Sequence, residues 1–403
     1  MFYLSSWLPG AGFFKGKDLY IGIALGLIII FLNFDFNNFL NYQINFKNLE
    51  KKLLSLIIFF FLISTVLYNP GELSSAKSLL NIMFYVIVFF VYFVIIPGIF
   101  EENNDLFEKF LKVISNFGLI FSIIGLVMIF INFHPVSDIR IQFVSLLKHP
   151  NLSSKILTVT VFTALIYLYL NLGKFTIYQK YFYIVSISIQ FITQFMTFDR
   201  AGIFGTLIGL LIFFGFLYRN KIIILVPFFA AGLGLLATSI FRAKGFGTVA
   251  TRLYLLIPAY EMIFRSKDKM LWGYGLTESF KEYSKNLLVF YSNEPQQTDP
   301  HNSYVLLIMM IGAIATAAIL VFIFYLIYKC IRRFFSVKNN YEKLKNIFLV
   351  SSLVALMIQA LFDGEIIRID HFTVHYILIV LGLMYISAKK SRDKLIIKNQ
   401  LVN

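Results

Sequence analysis

Two arginines and one histidine carry most of the chemistry this chain could do. Arg200 follows Phe198-Asp199 and heads a long apolar run. Its guanidinium is a planar fork that donates in pairs and keeps its charge, which suits a phosphate. Alone, it could equally pair with Asp199 or snorkel to a membrane surface. Arg252 opens the mostly apolar run Leu253-Tyr254-Leu255-Leu256-Ile257-Pro258-Ala259-Tyr260 inside an otherwise polar stretch. That run is expected to be a short interfacial helix kinked or limited by Pro258, on which a basic residue commonly anchors anionic lipid. His301 follows Pro300 and precedes a further apolar run. An imidazole there can accept a proton at neutral pH, although a lone loop histidine is more often incidental. Asn302, Ser303 and Tyr304 add polar groups able to orient the imidazole or a sugar.

Weaker signals surround these three. His149 and Asn151, in Lys148-His149-Pro150-Asn151, and Arg265, in the same polar stretch as Arg252, are candidate substrate contacts. Asp363, Glu365, Asp370 and His371 cluster near Arg368, but their spacing is that of no strong metal motif, so no metal site and no cofactor are assigned. Arg368 offers the simpler charge balance.

The elements that must position these groups are membrane helices. Hydrophobic residues make up 59% of the 403 positions, aromatics 18%, and the mean hydropathy is +0.77; soluble domains lie nearer 45–50% apolar. The formal net charge of +15 is scattered over short loops and the tail, which fits membrane topology and argues against a nucleic-acid partner. One cysteine, Cys330, leaves no internal disulfide to form. Met1–Phe14 lacks the charged and small-residue features of a secretory signal and is read as part of the mature protein.

With about 20 residues needed per crossing, the chain reads as an all-α, polytopic membrane helical bundle of about eleven spans. They lie near Leu19–Phe34, Leu53–Leu67, Ser78–Ile99, Val113–Phe133, Ile156–Leu172, Tyr181–Met196, Ala201–Leu217, Ile222–Ile240, Ser303–Tyr328, Ile347–Phe362 and Phe372–Ser387. Residues 2–14, interrupted by Pro9, Gly10 and Gly12, could supply a twelfth. Residues 1–403 form one integral membrane domain, and 241–300 form one long loop between two late helices. Cations such as Lys47, Lys174, Arg219, Arg333 and Lys389 gather on one side of this alternation, which the positive-inside rule makes cytoplasmic. The long loop, the Phe198-Asp199-Arg200 junction, the His149-Pro150-Asn151 loop and the Asp363-Gly364-Glu365 turn then share the external face. Ala201, Gly205 and Gly209 recur every four residues, a pattern that lets another membrane helix approach closely.

Three segments resemble the O-antigen ligase and polymerase superfamily of bacterial membrane enzymes. Asp199-Arg200-Ala201-Gly202 resembles that family's Ser-Arg-Ala-Gly junction. Arg252 with Gly273-Tyr274-Gly275 resembles its Arg…Gly-x-Gly loop, and His301-Asn302-Ser303-Tyr304 leading to Gly312 resembles its His-Asn-x-x-Leu…Gly. The chain departs from the family in carrying Met310 in place of an acidic residue, and Lys269-Met270-Leu271-Trp272 in place of a proline before Gly-x-Gly. The resemblance implies an inverting, metal-independent glycosyl transfer from an undecaprenyl-diphosphate-linked oligosaccharide. Arg200 and Arg252 would stabilise the leaving diphosphate and His301 would be the base. It implies a multi-pass protein of the bacterial cell (inner) membrane, in contact with membrane lipids and working beside a chain-length regulator and a repeat-unit flippase. A polysaccharide polymerase is the first expectation. A ligase passing the finished glycan to lipid A-core or another surface acceptor is the second, and a lipid-linked oligosaccharide transporter is the alternative of another class.

Overall fold

A computed structural model describes residues 76–131, 150–218, 247–275, 278–290, 300–364 and 371–400, with residues 55 and 57–59. Every regular element among them is helical. The chain runs α1 (Ala76–Phe89), a π-helical segment (Phe90–Ile95), α2 (Ile96–Glu102), α3 (Asn104–Ile131), α4 (Pro150–Leu170), α5 (Ile177–Met196) and α6 (Arg200–Leu217). It continues through α7 (Gly247–Phe264), α8 (Lys267–Trp272), α9 (Glu278–Phe290), α10 (Ser303–Ser336), α11 (Asn340–Ala360) and α12 (Phe372–Gln400). Six helices among the described residues are long and apolar enough to cross a membrane: Met83–Glu102, Asn104–Ile131, Asn151–Leu170, Arg200–Leu217, Ser303–Ser336 and Asn340–Ala360. The protein is a multi-pass helical membrane bundle.

All the expected spans from the third to the seventh and the ninth to the eleventh are helices. Of these, α5 and α12 are not among the six that meet the crossing criterion. The first and eighth expected spans and most of the second lie outside the described residues, as do residues 2–14. Two boundaries are corrected. Pro150 and Asn151 belong to the first turn of α4, where proline is tolerated because the first helical N–H needs no intrahelical partner. The helix expected to be limited by Pro258 runs on to Phe264.

Helix α4 is the axis of the bundle, its span largely buried. Its inward residues include Ser153, Ser154, Lys155, Thr158, Thr160 and Thr163, all buried. Lipid cannot satisfy such groups, so they bond within the protein: Thr160 and Thr163 donate to carbonyls of α4 itself, and Thr158 reaches neighbouring helices. The Thr158 and Thr206 hydroxyls lie 2.9 Å apart, and the Gln194 amide donates to both, at 2.8 and 2.7 Å. The small-residue stripe of α6 packs as expected: a Cβ on Gly205 would lie 2.4 Å from the Ala355 carbonyl oxygen of α11. Val113, Ile120, Val127 and Phe130 of α3 are exposed on the outer surface, where a membrane protein meets lipid.

Candidate active site

Two junctions at one end of the bundle share one local design. At the first, Phe198 has φ 51, Asp199 caps α6 by accepting from the Gly202 N–H at 3.1 Å, and Arg200 is the first helical residue. At the second, His301 has φ 48, Asn302 caps α10 by accepting from the Tyr304 and Val305 N–H groups at 3.0 Å each, and Ser303 is the first helical residue. Phe198 and His301 are the positive-φ residues other than glycine among the described residues. Side chains rarely adopt this backbone region, and where they do the surroundings must hold them there.

For His301 helix α11 and the turn after it supply those surroundings. The last carbonyls of α11 have no intrahelical partner, and the first turn of α10 supplies donors to them and to the turn beyond. The Asn302 amide donates to Leu361 O at 2.9 Å, the Ser303 hydroxyl to Asp363 O, and the Tyr304 hydroxyl to Met357 O at 2.8 Å. The carboxylate of Asp363 meets Lys155 of α4 at 2.7 Å, and the two side chains are 6% and 2% exposed. Lys155 thus balances the charge of Asp363, while the balance expected from Arg368 falls on a residue outside the described ones. Glu365 and Asp370 lie outside them too.

One residue before Lys155, Ser154 presses against the first turn of α6. A Cβ on Gly202 would lie 1.8 Å from its hydroxyl oxygen and 2.5 Å from Asp199 Oδ2. The Gly202 carbonyl accepts from Gln194 of α5 at 3.3 Å and from Gln359 of α11 at 3.2 Å. A path of buried contacts, with the neighbours Ser154 and Lys155 as its middle step, thus runs from the Asp199 cap beside Arg200 through Asp363 to Ser303, two residues after His301.

The polar stretch between α6 and α10 fastens to the same helix. Leu255, Ala259, Met262, Tyr283 and Leu287 of α7 and α9 form a core with Val305 and Met309 of α10. At Gly312, with φ 83 and ψ 167, α10 breaks. The Met309 and Met310 carbonyls accept from Tyr274 N at 2.7 Å and Gly275 N at 3.0 Å. A Cβ on Gly312 would sit 2.0 Å from Leu271 O, and one on Gly273, itself at φ 80, would sit 2.6 Å from Met310 O. Only glycine fits at both, since the backbones touch and both torsions are left-handed. The Tyr274 hydroxyl donates to Met262 O, and its burial pushes its pKa up, keeping that donor protonated. The break falls nine residues into α10, about 14 Å along its axis, so the loop lies beside the helix as well as over its end.

The junctions, the glycine lock and the helical loop all fall within one matched region. Residues 184–320 match the family model described as O-antigen ligase. That stretch, about a third of the chain, is similar to the O-antigen ligase family. No curated protein and no solved structure matches the chain.

Within the matched region Arg252 sits in α7, three residues before Leu255 of the shared core; its side chain lies outside the described residues. Arg265 is half-exposed and donates to Asn286 Oδ1 at 2.8 Å, tying α7 to α9. Asn302 and Tyr304 use their polar atoms to hold α10 against α11. Outside that region, Asn151 is half-buried in the first turn of α4, and His149 lies outside the described residues. Among the described residues no three His, Cys, Asp or Glu side chains gather as a metal site would.

Below the His301 junction an almost wholly apolar cavity of about 270 Å³ is bounded by Ser303, Tyr304, Leu307, Tyr85, Met357 and Ile377. Sequence reasoning missed Lys155, Gln194 and Gln359. Lys155 carried a signal: it stands at the head of an apolar span, but a span begun at Ile156 left it in a loop.

Proposed function

We propose that this membrane protein is a polysaccharide polymerase, an inverting glycosyltransferase that extends a capsule, exopolysaccharide or O-antigen chain from an undecaprenyl-diphosphate-linked oligosaccharide. The observation that carries the reading is the path of buried contacts between the Arg200 and His301 junctions at one end of the bundle, both within the region similar to the O-antigen ligase family.

In this reading Arg200 and Arg252 face the diphosphate of the donor. Their guanidinium groups stabilise the charge that grows on the phosphate oxygen as its bond to the anomeric carbon breaks, a role a metal ion can also fill. His301 accepts the proton of the acceptor hydroxyl as its oxygen forms the new glycosidic bond on the opposite face, contributing roughly 10²–10⁴-fold. Undecaprenyl diphosphate leaves. Asn302 and Tyr304 hold His301 in place, and the apolar cavity beside Ser303 suits a lipid chain. The site faces the outside of the bacterial inner membrane, where a flippase delivers repeat units and a chain-length regulator acts on the product.

The test is incubation of the purified protein with defined lipid-linked repeat units, with and without a chelator, followed by sizing of the products. A ladder of lengths that survives chelation supports the reading. Transfer of a single glycan to a different acceptor would make the protein a ligase, and carrier movement across liposomes without bond formation would make it a transporter.

A further inference from the structure

The ion pair between Lys155 and Asp363 lies outside residues 184–320, yet it sits between the two junctions that the matched region contributes. Lys155 is carried by α4 and Asp363 by the turn after α11, 208 positions apart in the sequence by their numbers, so neither is local to α6 or α10. Asp363 touches the second junction through its backbone: its carbonyl accepts from Ser303, two residues after His301. Lys155 touches the first through its neighbour: Ser154 fills the space where Gly202 lacks a side chain, beside the Asp199 cap of Arg200.

A buried pair of this kind is not an efficient way to gain stability, because removing two charges from solvent offsets much of their attraction. It is an efficient way to fix a distance, since neither charge can move far from the other in a poorly polarisable interior. We propose that Lys155 and Asp363 are positioning residues that set the separation of His301 from Arg200 across the reaction centre. The inference rests on the reading that those two residues share one centre.

The experiment compares Lys155→Met, Asp363→Asn and the apolar pair Lys155→Met/Asp363→Leu, each in the full chain and again with His301→Ala. The single-site variants remove one half of the buried pair and can fail to fold. The apolar pair removes both charges together, and such replacements often keep or raise stability. It is therefore the decisive variant, and its melting temperature is measured beside its rate. With lipid-linked repeat units as substrate, the expected result is a normal melt, a kcat at least about tenfold lower and a KM within about threefold of the unaltered protein, as for an interaction made chiefly in the transition state. In the His301→Ala background the same pair is expected to have almost no further effect, because the group it positions is gone.

A fully active apolar-pair variant beside an inactive His301→Ala protein would overturn the inference and leave the proposed function standing. A loss of equal size in the His301→Ala background would also overturn it, since that is how general structural damage behaves. A fully active His301→Ala protein would remove the catalytic reading itself, and the inference with it.

Discussion

Both ends of the bundle are pinned by buried ion pairs, yet among the described residues the strained non-glycine backbone lies at one end. At the end opposite the junctions, Lys345 of α11 meets Glu101 of α2 at 2.7 Å and lies over the Phe107 ring, and Arg333 meets Glu342 at 2.9 Å. Helix α11 begins there with Asn339 accepting from Tyr341 N, at an ordinary negative φ. At the other end, Lys155–Asp363 is as short and as buried, but Phe198 and His301 sit in the left-handed region immediately before their caps. Each such residue costs on the order of 1–3 kcal/mol. The comparison teaches that ion pairs hold helices at both ends, whereas strained backbone beside a cap coincides with the end where the proposed catalytic residues lie.

The sharpest way to break the comparison is to remove one chemical group from the strained end. His301→Ala is expected to lower the rate of glycosidic bond formation roughly 10²–10⁴-fold while leaving the melting temperature within a few degrees. Lys345→Met at the other end should do the reverse. It removes the Lys345 partner of the buried Glu101 carboxylate and is expected to cost about 3–5 kcal/mol of stability, seen in chemical unfolding, while the molecules that remain folded keep their rate. A Lys345→Met protein that melts normally but turns over slowly would erase the distinction between the ends.

Smaller effects sharpen it. Gly312→Ala places a methyl group against Leu271 O and strains a left-handed torsion. It is expected to loosen α8 from α10, read as faster proteolytic cutting within residues 265–275, and to reduce activity by displacing the loop that bears Arg252. Gln359→Leu removes one of two amide donors to Gly202 O. Interhelical hydrogen bonds in membranes average about 0.6 kcal/mol, so the expected change is a small drop in unfolding free energy with the rate nearly kept.

Much of the scaffold was legible because lipid imposes long apolar runs: the eight spans that could be compared are all helices. The Ala201-Gly205-Gly209 stripe also reads directly, since small residues at that spacing serve close packing. The heads of α6 and α10 could be named from Asp199-Arg200 and His301-Asn302, because cap residues and an arginine or histidine stand out against apolar sequence. What could not be read is how these heads are joined. Lys155 and Asp363 pair across 208 positions of sequence, and a lysine at the start of a span looks the same whether it faces solvent or a buried carboxylate. The role of Gly273-Tyr274-Gly275 was hidden for a similar reason: its partner is a pair of carbonyls freed by a helix break at Gly312, which only the fold brings alongside.

The central claim is that Arg200 and His301 act on one bond. The most direct measurement is the single-turnover rate of transfer from a lipid-diphosphate donor for Arg200→Lys, His301→Ala and the double variant. Residues that work as a unit lose far less together than the product of their separate losses, so the account predicts a double variant about as slow as the slower single one. Losses that multiply would place the two residues in independent roles and contradict it.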